Sequence, residues 1–357
     1  MISVKIKYMK ILINTPRLIP QGGVANHYLG LKNYWKANVV YNPIGKKGNK
    51  SGTGIYRLPI NVIAFIFKIF AFKPDIILLN PSLSKSAVIR DMIFLRIAKL
   101  MKQKVSVFFH GFDIKAIQHI NTKKLTNYLN QCECIFVLAN EFAKIIRSWG
   151  VTKPIHLTTT KVDDKLIKTF DINTRKGEIK SILFLARITK EKGIFIAIEA
   201  FRQIQKTYPY LQFNIVGNGP ALNEAKNICI KNNIANIHFY GALSGEELIE
   251  QFKEADLYLF PTFHAEGMPT SVLEAMAFGL PVITRPVGGL QDFFVDGKMG
   301  RLIDSLDPND FASAIMDHIQ KTVEVKRISL FNHEYALKHF MASIVAKKIE
   351  NELSKYI

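Results

Sequence analysis

Short apolar segments of strand length alternate with segments of helical spacing along nearly the whole sequence, and this alternation limits the fold more than any other feature. It runs in two series. The strand segments of the first series are 10–14, 74–80, 104–109, 134–138 and 154–157, and those of the second are 181–185, 211–216, 236–241, 255–261 and 281–284. The helical segments between them include 24–34, 84–101, 140–149, 194–208 and 244–254. The sequence therefore predicts an α/β protein with two halves.

The boundary between the halves falls in a polar, irregular stretch at about 163–180. A length of 357 residues also favours two domains, at about 100–200 residues per domain. We place a first domain at 1–165, a second at 166–335 and a C-terminal helix at 336–357. Two terminal helices are predicted, beginning at Pro308 and near Asn332.

Charge is distributed very unevenly between the halves. Residues 1–150 contain 23 Lys and Arg against 5 Asp and Glu, whereas residues 151–357 contain 25 against 24. Almost all of the net charge of +19 therefore lies in the first half. Such an excess indicates an anionic partner for that half: nucleic acid, an anionic membrane surface or an acidic substrate.

The first half also contains a candidate membrane-surface element. The cationic segment 46–54 has no apolar side chain, and a Phe-rich helical segment at 60–72 follows it. A core helix packed on the sheet is an equally good interpretation of the Phe-rich face. The longest apolar run, 58–72, is shorter than the roughly 20 residues that span a bilayer. We expect no secretory signal, and three cysteines without disulfide spacing favour reduced, buried thiols in the cytosol.

The segment 264–283 is predicted to run from a turn through a short helix into a strand. Pro269 suits a helix start, where the unpaired N–H groups near Gly267 could bind an anion. Glu266 precedes this helix, and Glu274 lies in its apolar run, where a carboxylate needs a partner. A polar, phosphate-bearing ligand would satisfy both acids. Alternatively, Glu266 caps the helix and Glu274 pairs with a buried Arg or Lys.

Three strand-to-helix loops add candidate ligand contacts. Arg187 and Lys192 lie in the loop after strand 181–185, where they could clamp a diphosphate or could simply be solvated. The pair Gly22-Gly23 follows the first strand, and His110 ends the strand 104–109. Carboxyl ends of parallel strands face the ligand cleft in open sheets. Alternatively, Gly22-Gly23 lies in a loop without a ligand, and His110 is a loop histidine with a partner inside the protein.

Taken in order, these motifs resemble those of retaining nucleotide-sugar glycosyltransferases of the GT-B, two-Rossmann-domain kind, glycosyltransferase family 4. The resemblance is carried by a series of motifs in the second half: Arg187 with Lys-Glu-Lys-Gly193, Gly217-x-Gly219, Phe239-x-Gly241, Glu266-Gly267, Glu274-Ala-Met-Ala-x-Gly279-x-Pro281-Val282, Gly288-Gly289 and Asp296-Gly297-x-x-Gly300. The first half matches through Gly22-Gly23 and His110-Gly111. The resemblance implies two Rossmann-like domains facing across a cleft, with the C-terminal helix packing back on the first.

The resemblance also implies roles for individual residues. Glu274 would bind the ribose hydroxyls, Glu266 would lie by the transferred sugar, and His110 would contact the sugar or the acceptor. The catalytic set would be Glu266, His110, Arg187 and Lys192. The donor would be bound by Gly22, Gly23, Arg187, Lys192, Gly217, Phe239, Glu266, Gly267, Met268, Pro269, Thr270 and Glu274.

For such an enzyme we expect no metal cofactor, because the sequence has no Asp-x-Asp triplet and Arg187 and Lys192 can neutralise the leaving group. The expected donor is a UDP-sugar in preference to a GDP-sugar. The expected acceptor is a lipid-linked glycan or an oligosaccharide of bacterial surface polysaccharide such as the O-antigen of lipopolysaccharide, reached from the cytoplasmic face as a peripheral membrane protein. A nucleotide-sugar epimerase, a non-catalytic sugar-nucleotide-binding protein and a nucleic-acid-binding protein are the competing interpretations, although no RNA-binding signature is present.

Overall fold

Two parallel sheets organise the chain in a computed structural model that describes residues 8–19, 22–44, 57–81, 85–111 and 120–357. Contacts divide the chain into unit 1, residues 1–161 and 342–357, and unit 2, residues 162–341. The predicted cationic segment 46–54 lies outside the described residues. The α/β fold with two Rossmann-like parallel-sheet domains, predicted from the sequence, is confirmed.

Unit 1 contains a six-stranded sheet in the order β2-β1-β3-β4-β5-β6, with every pair parallel. Its strands are β1 (Lys10–Thr15), β2 (Asn38–Pro43), β3 (Ile76–Leu79), β4 (Val105–Phe109), β5 (Ile135–Val137) and β6 (Ile155–Leu157). Its helices are α1 (Gly23–Leu31), α2 (Leu58–Phe72), α3 (Lys85–Leu100), α4 (Thr122–Leu129), α5 (Asn140–Ser148) and, from the C-terminus, α12 (Ala342–Ser354). The terminal helix packs on α1, and the backbone N–H of Ala37 donates to Glu350 Oε1 at 2.6 Å.

Helix α2 has both a core face and an exposed apolar face. Phe65 and Ile69 are buried, and the Phe65 ring meets Phe94 of α3 edge-on at 5.1 Å. A second row, at the helical spacing of three and four residues, is exposed instead: Ile60 (64%), Ile63 (68%), Phe67 (71%) and Phe70 (68%). The core-helix interpretation of the Phe-rich segment is thus correct for one face of α2, and the membrane-surface interpretation stays a prediction for the other. The described helices include none long and apolar enough to cross a membrane.

Unit 2 contains a second six-stranded parallel sheet, in the order β12-β11-β10-β7-β8-β9. Its strands are β7 (Ser181–Leu185), β8 (Gln212–Val216), β9 (Ile237–Gly241), β10 (Leu257–Phe260), β11 (Val282–Thr284) and β12 (Gly300–Leu302). Its helices are α6 (Ile194–Gln205), α7 (Leu222–Lys231), α8 (Glu246–Glu254), α9 (Thr270–Ala277), α10 (Pro308–Ile319) and α11 (Thr322–His339). Short 3-10 turns occupy Ile172–Thr174, Lys190–Lys192 and Gly288–Asp292.

The C-terminal region differs from the prediction of two terminal helices. Three helices, α10, α11 and α12, lie between Pro308 and the C-terminus. The predicted start near Asn332 lies inside α11, which begins at Thr322 and ends at His339, and α12 follows it. The two passages of the chain between the units lie at 161–162 and 341–342. Val162 and Met341, both in unit 2, form a parallel β-bridge, and Val162 N–H donates to Phe340 O at 2.8 Å.

A buried arginine fixes the ends of two helices in unit 2. The guanidinium of Arg175 donates to the carbonyl oxygens of Phe252 at 2.7 Å and Lys253 at 3.1 Å, and also to that of Ala255, all at the end of α8. It also donates to Phe278 O, just beyond α9, at 2.9 Å. The last carbonyls of a helix have no partner within the helix, so one side chain satisfies both ends and holds α9 in place.

Candidate active site

Loops after four neighbouring strands of unit 2 meet at one edge of its sheet, since all strands run parallel. Two glycines allow these loops to approach closely. Gly217 has φ 135°, and a Cβ there would collide with the carbonyl oxygen of Ala186. Gly193 has φ 83°, and a Cβ would collide with the carbonyl of Pro261. The loops after β7, β8 and β10 are therefore in backbone contact, which only glycine permits at these positions.

Lys192 and Glu266 form an ion pair at this edge. Lys192 Nζ donates to Glu266 Oε1, and the two side chains are only 20% and 14% exposed. The ammonium group also lies 5.8 Å from the centre of the Phe260 ring. The loop that carries Lys192 is held to the loop after β10 by the N–H of Phe263, which donates to Glu191 O at 2.9 Å. The structure thus brings together two residues separated by 74 positions.

Helix α9 begins next to this ion pair. Its first residue is Thr270, and Pro269 precedes it as an N-cap that supplies no side-chain hydrogen bond. Glu266 therefore pairs with lysine and does not cap the helix. The Gly267 carbonyl accepts from Gly289 N–H at 2.9 Å, which fixes the turn before the helix. The positive end of the helix dipole and a lysine ammonium group lie together, an arrangement suited to an anion.

A buried tyrosine of β10 experiences the charges of both Glu274 and Glu266. The Tyr258 hydroxyl of β10 hydrogen-bonds to Leu185 O at 2.9 Å and to Ser271 Oγ at 2.7 Å. Burial raises the pKa of this phenol, and the carboxylates of Glu274 and Glu266 raise it further. Both acids predicted from the sequence therefore act electrostatically on one buried hydroxyl group, which joins β7, β10 and α9.

Three further predicted residues of unit 2 differ in exposure and in the element that carries them. Arg187 is exposed in the loop after β7. Met268 is buried in the turn before α9. Phe239 lies within β9, the edge strand, and its ring contacts the Lys226 ammonium group at 5.7 Å. In the described ranges, no three His, Cys, Asp or Glu side chains are grouped to hold a metal ion.

The sheet edge of unit 1 contains a polar cluster. Gly22 is the N-cap of α1, with φ 94°, and Gly23 begins the helix. His110 follows β4, and its Nε2 lies 2.9 Å from Asn80 Oδ1. The hydroxyl of Tyr28, on α1, donates to the same oxygen at 2.6 Å. Burial lowers the pKa of His110 to about 3, so its ring is neutral.

His27 of α1 completes this cluster. Its ring centre lies 4.8 Å from that of His110. The pKa of His27 lies well below its ordinary value, first because of burial and then because a proton on His27 is disfavoured by a proton on the adjacent His110 and by the charge of Lys161. Neither ring nitrogen has a hydrogen-bond partner in the part of the chain that is described.

Comparison with known proteins identifies the second unit. Residues 167–329 match the family described as glycosyl transferases group 1. This match covers almost all of unit 2, which we call the group 1 unit. The chain is also 26% identical to the amylovoran biosynthesis glycosyltransferase AmsK of Erwinia amylovora over 66% of its own length and 60% of the relative's. It is 30% identical to the alpha-monoglucosyldiacylglycerol synthase of Acholeplasma laidlawii over 50% of its own length and 44% of the relative's.

The whole chain shares its fold with solved glycosyltransferase structures. HepE of Anabaena, in complex with UDP and glucose, superposes with a TM-score of 0.71 at 17% identity, covering 98% of this chain and all of that one. By sequence, the chain spans about half the length of the curated relatives that it matches. The resemblance to group 1 glycosyltransferases is thus confirmed for residues 167–329, whereas family 4 and the retaining mechanism stay predictions.

Sequence reasoning missed the partners that hold the predicted residues in place. The predicted site residues do not include four of these partners: Arg175 and Tyr258 in the group 1 unit, and Tyr28 and Asn80 in unit 1. Asn80 could have been found, because it is a polar residue directly after the apolar run of β3 at the carboxyl end of a parallel strand. Arg175 left no such signal, since it lies in an irregular polar stretch.

Proposed function

We propose that this chain is a retaining glycosyltransferase that transfers a hexose-type sugar from a nucleoside diphosphate, UDP in preference to GDP. The observation that supports it most directly is the Lys192–Glu266 ion pair at the start of α9 in a group 1 unit. A diphosphate leaving group gains negative charge during transfer, and a lysine beside a helix N-terminus stabilises that charge. HepE, of the same fold, binds UDP and glucose, which supports the choice of donor.

The ion pair also suggests how donor binding changes the site. A bound diphosphate would compete with Glu266 for the Lys192 ammonium group. Glu266 would then be released to contact the transferred sugar, and Arg187, exposed in the same loop, could reach the phosphates. Glu274 would bind the ribose hydroxyls at the other end of the donor.

Donor binding is tested by thermal unfolding with UDP, GDP, ADP and their sugars. A ligand at 100 times its dissociation constant stabilises the native state by about 2.7 kcal/mol. We expect the largest rise in Tm with UDP or a UDP-sugar, and Glu274→Ala should abolish it. The control is Glu247→Ala, an exposed acid in the first turn of α8. An unchanged rise in the Glu274→Ala variant would refute the role of Glu274.

Turnover should need no metal ion, because Lys192, Arg187 and the α9 dipole can stabilise the leaving group. Activity that disappears with EDTA and returns with Mg²⁺ or Mn²⁺ would contradict this. Retention is tested by the anomeric configuration of the product. Sugar release that needs no acceptor would favour an epimerase instead.

The acceptor is proposed to be a lipid-linked glycan of bacterial surface polysaccharide, met at the inner face of the cell membrane. Unit 1 contains 28 Lys and Arg against 7 Asp and Glu, whereas unit 2 contains 20 against 22. The exposed row Ile60, Ile63, Phe67 and Phe70 lies in this basic unit, with Arg57 and Lys73 at the ends of the helix. Cationic and apolar groups together bind anionic membrane surfaces. Two relatives support the acceptor class, one named for amylovoran biosynthesis and one for synthesis of a glucosyl lipid.

A further inference from the structure

Asn80 has a fixed amide orientation in unit 1. Its side chain is buried, and Nδ2 lies 2.8 Å from the carbonyl oxygen of Asn14 and 3.5 Å from that of Leu78. A carbonyl oxygen only accepts hydrogen bonds, so the NH₂ group must face these two atoms. The amide oxygen Oδ1 then faces the opposite side.

This orientation decides which nitrogen of His110 carries the proton. Oδ1 of Asn80 lies 2.9 Å from His110 Nε2 and already accepts from the hydroxyl of Tyr28. An amide oxygen cannot donate, so Nε2 must carry the hydrogen that joins them. In a neutral imidazole the other nitrogen, Nδ1, is then an acceptor with a free lone pair.

The Nδ1 atom of His110 is buried and has no hydrogen-bond partner among the described residues. The surrounding groups do not supply one. Phe108 stacks on the imidazole at 3.8 Å between ring centres, and the rings of His27 and Tyr28 lie at 4.8 and 5.6 Å. A buried acceptor without a partner is costly and calls for an explanation, of which a ligand is one.

We propose that Asn80 is a positioning residue that holds His110 as the Nε2–H tautomer, so that Nδ1 accepts a hydrogen bond from a hydroxyl group of the sugar substrate. The tautomer is deduced from hydrogen bonds within unit 1. The hydrogen bond from a sugar hydroxyl to Nδ1 rests on the proposed function. Burial keeps the ring neutral, because it lowers the pKa of His110 to about 3. Lys161 and His27 add no negative charge that would favour the imidazolium form.

The tautomer is tested by nitrogen NMR on the full chain labelled in its histidines. At pH 7 the wild-type protein should show His110 protonated at Nε2, with a slowly exchanging proton. Asn80→Ala should lose that slow exchange, whereas Tyr28→Phe should keep it, since only the second donor to Oδ1 is removed. A proton on Nδ1 in the wild type, or unchanged exchange in Asn80→Ala, would overturn the assignment.

The positioning role is tested by kinetics with the donor that stabilises the wild type. Asn80→Ala should lower kcat/KM about 5- to 30-fold, the equivalent of one lost hydrogen bond. Asn80→Asp should place a carboxylate against Nε2, which favours the protonated imidazolium ring of His110. In that form Nδ1 carries a proton and can no longer accept a hydrogen bond. Activity of this variant should therefore fall at an acid pH at which the wild type keeps its activity.

Asn42→Asp is the matched control, because Asn42 is a buried asparagine of the same cluster that donates to Asn14 Oδ1 at 3.0 Å. Its pH profile should match that of the wild type. If Asn80→Asp also matches the wild type, the positioning role is wrong. If the wild type transfers no sugar from any donor tested, the proposed function fails, and the NMR result still decides the tautomer.

Discussion

The exposed row on α2 gives the sharpest prediction, because the size of its effect follows from exposure. The variant is Phe67→Ser/Phe70→Ser, which removes two apolar rings from a surface where they are 71% and 68% exposed. These rings add little to folding, so Tm should change little. Binding to anionic vesicles should fall strongly.

The magnitude follows from the apolar area that a membrane would bury. Full burial of a Phe side chain contributes about 1.5–3 kcal/mol, so the exposed two-thirds of each ring contributes about 1–2 kcal/mol. Two rings give about 2–4 kcal/mol, which corresponds to about a 30- to 1,000-fold lower partition coefficient. The basic residues of unit 1 add an electrostatic attraction that salt screens.

Co-sedimentation with phosphatidylglycerol vesicles at low and high salt measures both contributions. The control is Ile230→Ser/Val323→Ser, which removes two apolar side chains of unit 2 that are 75% and 86% exposed. We expect the control to bind as the wild type does. Equal binding of the Phe variant and the control, or no binding of the wild type at low salt, would refute the membrane role of α2.

Four further predictions concern catalysis and stability. Lys192→Ala should lower kcat about 100-fold without abolishing the folded state, as measured by transfer assay and circular dichroism. Arg175→Met should destabilise unit 2 by at least about 3 kcal/mol in urea unfolding, because four helix-end carbonyls lose their donor. Gly217→Ala should lower Tm more than Gly297→Ala, because both glycines have positive φ but only the first would collide with backbone. Acid should destabilise unit 1, because burial lowers the folded-state pKa of His27, so stability present above pH 6.5 is lost as the pH falls. His27→Phe should lose less stability between pH 7 and pH 5 than the wild type does in urea unfolding.

The fold of the group 1 unit could be predicted from the sequence, because single residues and short segments mark its backbone contacts and its strands. Gly193 and Gly217 mark sites where backbone meets backbone, and such sites admit little but glycine. Strands such as β7 and β10 are continuous apolar runs, as expected where both faces of a parallel sheet are covered. Even the closeness of Lys192 and Glu266 follows from parallel strands ending at one edge.

Other elements escaped prediction because tertiary contacts decide them. β2 reads Asn-Val-Val-Tyr-Asn-Pro, half polar and partly exposed, and is a strand because it pairs along β1 at the edge of the sheet. α4 has few apolar residues, and its burial of Leu125, Tyr128 and Leu129 stabilises it. The hydrogen bonds of Asn80 depend on three segments that the sequence does not show to be neighbours.

The separation of charge between the units supports the proposal that unit 1 meets the acceptor at a membrane surface. The donor binding proposed for the group 1 unit would need few cations, since Lys192, Arg187 and the α9 dipole could neutralise two phosphates, and unit 2 as a whole has a slight acidic excess. The polar cluster around His110 is neutral, because burial holds its histidines uncharged. Neither subsite therefore accounts for the excess of 21 positive charges in unit 1. The proposed contact with an extended anionic surface would account for it, and α2 places exposed apolar rings in that same unit.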